Sequence, residues 1–296
     1  MNDFKNFLKV FATGAMLYLL IAGVPRYFRN NPEFANFYTA ISSDRAIELG
    51  MIKGYSLDIK YGWNIGMAQN TEELISSLGG QFTEPSGEEI IEISSTSAND
   101  SIAGTGAQKI EVKCVRQDFT EETYEIDMNG LTAVTTPVPC LYINRMIVSQ
   151  AGSGKTNAGD IIASQSVSGI DLRQIPAEIS VTQSCLYVVP KGYTALIEKV
   201  EFSVLRRQSG DPKVQFRGYV LNNGRLVMFK PLKIDADTNS TSGPMASEIP
   251  PYTTKRNEGD VFFFTAESNT SNTDVTCRAQ VLLVENKYLD LTTNEY

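Results

Sequence analysis

Lys109–Val115 reads KIEVKCV and Thr123–Met128 reads TYEIDM. In the first run Ile110, Val112 and Cys114 share one face, with Lys109, Glu111 and Lys113 on the other. In the second, Tyr124, Ile126 and Met128 alternate with Thr123, Glu125 and Asp127. A period of two marks a strand with one buried face and one wet face. Asn129-Gly130 then accepts the left-handed backbone of a tight turn and predicts a hairpin into Leu131–Thr135. The same rhythm runs outward from Ile90 to Glu285. Its strands are separated by Ser94–Gly106 (SSTSANDSIAGTG), Ser149–Gly159 (SQAGSGKTNAG) and Asn239–Gly243 (NSTSG). Such turn-rich spacing predicts an all-β chain of the sandwich type.

Two β-sandwich domains are expected, jelly-roll-like, over residues 88–178 and 179–288. The second contains runs at Cys185–Val189, Thr194–Leu205, Val214–Leu221, Leu226–Pro231, Asp260–Ala266 and Asp274–Glu285, with turns at Pro190-Lys191-Gly192 and Asn222-Asn223-Gly224. Residues 29–87 read as a connector arm, with a short helix at Thr71–Leu78 stopped by Gly79-Gly80 and with Trp63 packed as an anchor. Residues 289–296 form a C-terminal tail.

Residues 1–28 read as a hydrophobic anchor helix. Between Lys9 and Arg26 lies VFATGAMLYLLIAGVP, in which Phe11, Met16, Leu17, Leu19, Leu20 and Ile21 are the anchoring side chains. About sixteen residues at 1.5 Å each give roughly 24 Å against a ~30 Å hydrocarbon core, and extension through Phe4, Phe7 and Leu8 lengthens it. A signal peptide lacks a small residue two places before Ala22, where Leu20 stands. A retained anchor, inserted in a membrane or in a larger assembly, is the favoured reading.

The 296 residues carry a net charge of −8 and no histidine. The charge disfavours a nucleic-acid partner, and the missing histidine removes the commonest catalytic base and metal ligand. Cys114, Cys140, Cys185 and Cys277 lie far apart, form no CxxC pattern, and read as four free thiols of a reducing compartment. Ala151–Thr156 (AGSGKT) resembles a phosphate-binding loop, but Ser149 stands at its first glycine position and no helix-forming segment follows. Lys155 is therefore expected in a solvated hairpin loop. Glu88-Glu89 and Glu121-Glu122 are adjacent and so point to opposite faces of a strand, and Asp235 with Asp237 reads as a solvated loop. No catalytic, cofactor or metal site is expected.

Ile93–Gln108 (ISSTSANDSIAGTGAQ), Asn129–Thr136 (NGLTAVTT), Leu141–Ile161 (LYINRMIVSQAGSGKTNAGDI), Val189–Ala195 (VPKGYTA) and Val281–Asn286 (VLLVEN) together resemble a family of uncharacterised virion structural proteins. These occur in tailed phages of marine bacteria and in large DNA viruses of algae. The resemblance spans roughly residues 88–288 and implies a shared fold and a structural role, with no site to carry over. It implies a minor capsid, cement or vertex component of an icosahedral shell. The implied partners are the major capsid protein, other capsid proteins, an internal viral membrane and further copies of the chain within the virion. The expected contact residues are Phe34, Phe37 and Tyr38 of the arm and Tyr288 and Tyr296 of the tail. A host-recognition fibre or spike binding a cell-surface glycan is the alternative, and a glycosidase using carboxylate pairs is the third reading.

Overall fold

The computed structural model describes residues 43–206, 212–235, 245–249 and 254–289. Phe11, Met16, Leu17, Leu19, Leu20 and Ile21 of the expected anchor, together with Phe34, Phe37, Tyr38, Asp237 and Tyr296, lie outside the described residues. The chain divides into two units, Met1–Leu57 and Asp58–Tyr296. Within the first, the described residues form helix α1 (Ser43–Glu48) and the start of strand β1 (Tyr55–Met67). Among the described residues there are seventeen strands and two short helices. The class is all-β, and none of these helices is long and apolar enough to cross a membrane.

Two sheets of the second unit enclose its largest core. One has the order β1-β17-β11-β14, using β17 (Thr273–Glu285), β11 (Tyr193–Arg206) and β14 (Met245–Ile249), with β15 (Thr254–Arg256) also on β11. The other has the order β10-β16-β12-β13, from β10 (Leu186–Val188), β16 (Val261–Ser268), β12 (Lys213–Asn222) and β13 (Arg225–Asp235). With β14 and β15 counted as one broken strand, the eight strands taken in chain order pair as 1-8-3-6 and 2-7-4-5. That interleaving is the strand order of a jelly roll, in which the chain crosses between the sheets at every step except β12 to β13.

The connection from its first strand to its second is unusually long, because a second sandwich is inserted there. It is built from β3 (Ile91–Ser95), β4 (Ala107–Val115), β5 (Glu121–Asp127), β6 (Val134–Thr135), β7 (Tyr142–Ala151), β8 (Ile161–Gln165) and β9 (Asp171–Ile175). Its sheets run β6-β3-β8-β9 and β5-β4-β7. Ile91, Ile93, Ile161 and Ala163 from one sheet meet Ile110, Val112, Ile143 and Met146 from the other in a shared core.

Strand β16 shows why its sequence is apolar without alternation. Phe262 and Phe264 face the jelly-roll core, whereas Phe263 joins Val115, Leu141 and Tyr142 of the inserted sandwich. The sheet carrying β16 is thus covered on both faces, and a strand so placed has no wet side to advertise.

Several expectations are corrected. Thr71–Leu78 is not a helix. It contains the short strand β2 (Glu72–Leu74), whose Leu74 pairs with Thr265 of β16. The Ile75 amide then donates to the Phe264 carbonyl at 3.0 Å, and Ile75 is buried. Pairing with an available strand and burial of Ile75 outweigh one turn of weak helical propensity. Trp63 sits half-buried within β1, so the segment read as an arm supplies the jelly roll with its first strand.

Asn129-Gly130 does form a turn, with Gly130 at φ 62°. The chain that follows pairs β6 with β3 rather than returning along β5. The Gly130 amide donates to the Asp100 carbonyl at 2.6 Å, and the Ser95 amide to the Gly130 carbonyl at 2.9 Å. These bonds to another loop redirect the chain to the opposite sheet.

The four cysteines are also corrected: Cys114 is bonded to Cys140 and Cys185 to Cys277. The Cα atoms lie 5.5 and 6.3 Å apart, although the partners are 26 and 92 residues apart in the chain. Cys277 lies on β17 and Cys185 immediately precedes β10, so the second bond ties one jelly-roll sheet to the other.

Gly62 of β1 shows how tightly this region is closed. A Cβ there would lie 2.3 Å from the Ile75 carbonyl oxygen and 2.6 Å from the Cys185 amide nitrogen. Both atoms are backbone, so neither can rotate away. Gly62→Ala is expected to cost about 2–3 kcal/mol through overpacking, read as a lower urea midpoint. An unchanged midpoint would show that β1 does not approach these strands so closely.

Candidate functional site: a cavity at the seam between the sandwiches

The loops of the inserted sandwich converge on one carboxylate. Asp100 is 0% exposed. Its Oδ1 accepts from the amides of Ala107 and Ala158, each at 2.7 Å, and its Oδ2 from the Gly159 amide at 2.9 Å and the Ser95 hydroxyl at 2.5 Å. Charge-assisted bonds of this kind are about twice as strong as neutral ones. The residues just beyond the stretch that resembles a phosphate cradle, Ala158 and Gly159, therefore direct two backbone N–H groups at an anion supplied by their own chain. Lys155 is exposed, and Thr156 leads to strand β8 rather than to a helix. Gly106 fits beside this carboxylate because a Cβ there would stand 2.1 Å from Asp100 Oδ1.

Glu88 and Glu89 lie just ahead of β3 and reach different partners. Glu88 binds Arg116 at 3.1 Å and accepts the Gln117 amide at 2.9 Å, whereas Glu89 accepts the amides of Val167 and Ser168 at 2.7 and 3.0 Å. Glu121 accepts from Asn144 Nδ2 at 2.6 Å. Asn144 also joins the two sandwiches: it donates to the Val188 carbonyl at 2.8 Å and accepts the Val188 amide at 2.9 Å. Tyr288, expected as an assembly contact, lies half-buried in helix α2 (Asn286–Leu289), with Lys287 Nζ 5.2 Å from its ring centroid.

Two buried cations occupy the seam. Lys60 Nζ pairs with Asp58 at 2.8 Å and stands 4.4 Å over the Tyr187 ring. Burial lowers its pKa, and the Asp58 carboxylate opposes that shift. Arg173 of β9 is 4% exposed. Its terminal nitrogens donate to the Leu172 carbonyl at 2.7 Å and the Leu186 carbonyl at 3.3 Å. Burial pushes its pKa down to about 10, which leaves it charged at neutral pH.

Arg173 lines a cavity of about 390 Å³ with Tyr142, Ser76 and Ser184 as polar neighbours and Leu74, Phe82 and Ile170 among its apolar walls. These groups arrive from β2 and the segment after it, from β7, from β9, and from the approach to β10. None was singled out in the sequence. An arginine in a short run such as DLRQI gives no sign that packing will bury it.

Burial also raises the pKa of Tyr142 and of Tyr187. A phenol whose folded pKa exceeds its unfolded value contributes stability in full below about pH 10, and that contribution is lost as pH rises further. Ultraviolet titration should therefore show these two phenols ionising together with unfolding. Early, reversible ionisation of every tyrosine in the folded protein would contradict their burial.

No protein-family model matches the chain, and no curated protein matches it. The likeness to virion proteins of marine phages and algal viruses accordingly remains an expectation. Among solved structures, the crystal structure of the infectious bursal disease virus VP2 subviral particle overlaps 78% of this chain and 72% of its own, at 11% identity and a TM-score of 0.21. Infectious bursal virus derived T=1 particles overlap 78% of this chain and 70% of their own, at 12% identity and a TM-score of 0.19. At these TM-scores neither overlap fixes a fold or a role for this chain.

Proposed function

We propose that this chain is a structural component of a virion, a minor capsid, cement or vertex protein that acts by being held between neighbouring subunits. The observation that carries the reading is the strand order 1-8-3-6 and 2-7-4-5, an architecture that capsid domains share with lectins and cupins. Two disulfides accord with it, since such bonds persist in extracellular particles and are rare in reducing compartments. The major capsid protein, other capsid proteins and further copies of the chain are the partners in this reading. The role requires no catalysis.

Strand β13 is our candidate contact edge. Among the described strands it pairs only with β12, and Leu226, Val227 and Met228 are exposed along it. An edge strand that carries apolar side chains is a ready surface for another chain. Interfaces of about 1,600 Å², repeated by symmetry, hold a shell without chemistry. The apolar stretch 10–25 would tether the protein to an internal membrane.

The test is incorporation. Gradient-purified particles should contain the chain in fixed proportion to the major capsid protein, and Val227→Lys should lower that proportion several-fold without lowering the thermal midpoint of the isolated protein. Absence from particles would overturn the reading. Release of the chain with lipid on detergent treatment supports the tether, and its retention in the shell argues against one.

A further inference from the structure

We infer that the cavity beside Arg173 is a binding site for a small organic carboxylate. Removing a guanidinium from water is costly unless an anion and hydrogen bonds offset the loss. This chain elsewhere supplies such anions. Arg116 has Glu88 at 3.1 Å, Arg217 has Glu72 at 2.9 Å and Glu267 at 2.7 Å, and Arg278 has Glu201 at 2.7 Å. Arg173 is more buried than these three, yet two backbone carbonyls are its hydrogen-bond acceptors, and no carboxylate among the described residues lies within ion-pair distance. Its Nε is buried with no hydrogen-bond partner. Arg256 Nε is likewise buried without a hydrogen-bond partner, but of the two it is Arg173 that lies on the lining of the cavity.

The walls select the ligand class. One guanidinium, with the Tyr142 phenol on the same lining, matches the single charge and planar fork of a carboxylate. A dianion such as phosphate would meet the same single cation with Asp171 on the lining and Glu84 close enough to influence Tyr142. The Asp171 carboxylate is engaged by the Ser164 hydroxyl. Leu74, Phe82, Ile170 and Leu172 provide an apolar wall for the body of the ligand. A cavity of 390 Å³ falls within the range of small-molecule sites and has room for a ligand of about ten non-hydrogen atoms. The site does not depend on the capsid reading, and either can fail without the other.

Titration calorimetry of the full chain with octanoate tests this, with octanol as the neutral counterpart. Saturable octanoate binding is expected, at least tenfold tighter than octanol binding. Arg173→Met should weaken it at least tenfold, and so should Thr83→Trp, which fills the cavity from an exposed lining position while the thermal midpoint is kept. If the methionine variant does not fold, the Thr83 variant decides. Lack of a saturable isotherm, equal binding of octanol, undiminished binding by a folded variant, or binding of inorganic phosphate in preference to octanoate would each overturn the proposal.

Discussion

Asp100→Ala should destabilise the inserted sandwich by about 4 kcal/mol. The substitution removes the acceptor of four hydrogen bonds and leaves the amides of Ala107, Ala158 and Gly159 facing a void. Backbone N–H groups buried without partners are costly because water cannot replace the lost acceptor. Asp100→Asn keeps the shape but presents an amide NH₂ where a carboxylate oxygen accepted, so about half of the loss is expected. Urea unfolding followed by circular dichroism measures both. A change below about 1 kcal/mol for the alanine variant would mean that the loops hold together without their central anion.

Removing the bond between Cys185 and Cys277 should be equally damaging. It closes a segment of 92 residues, and the chain-entropy relation gives about 4.6 kcal/mol for a loop of that length. The Cys114–Cys140 bond spans 26 residues, and the same relation gives about 3.5 kcal/mol. The double variant Cys185→Ala/Cys277→Ala is therefore expected to lose more than Cys114→Ala/Cys140→Ala, by about 1 kcal/mol. Thiol titration of the denatured, unreduced protein should find no free cysteine. Four reactive thiols in oxidised preparations would refute the pairing.

What could be read beforehand follows from how local each signal is. The alternation in Lys109–Val115 is visible because one face of β4 meets a core and the other carries ion pairs, such as Lys109 with Glu125 at 2.8 Å. Asn223-Gly224 was legible as a turn, since both residues take positive φ, 47° and 73°, between β12 and β13. Strand β1 carries no such signal, because Gly62, Trp63 and Asn64 interrupt any alternation and its partner β17 lies some two hundred residues downstream. The insertion of one sandwich between two strands of the other has no sequence mark at all. It emerges only from pairing.

The cysteines and the cavity were hidden for a related reason. Spacing along a chain carries no information about two sheets packed face to face, so Cys185 and Cys277 looked remote. Arg173 and Asp100 sit in polar segments where a solvated side chain is the ordinary expectation. Their burial is decided by what the other sandwich or the neighbouring loop places over them. The AGSGKT stretch is a loop beyond Ala151, as the want of a helix-forming segment after it implies, yet nothing in the stretch itself announces the internal carboxylate beside it.

An averaged electron cryo-microscopy map of intact particles bears most directly on whether two strand-built modules serve by being gripped by neighbours. The account predicts density for the jelly roll at symmetry-related positions of the shell, with strand β13 against an adjoining subunit. Particles whose every shell density is explained by other chains would contradict it.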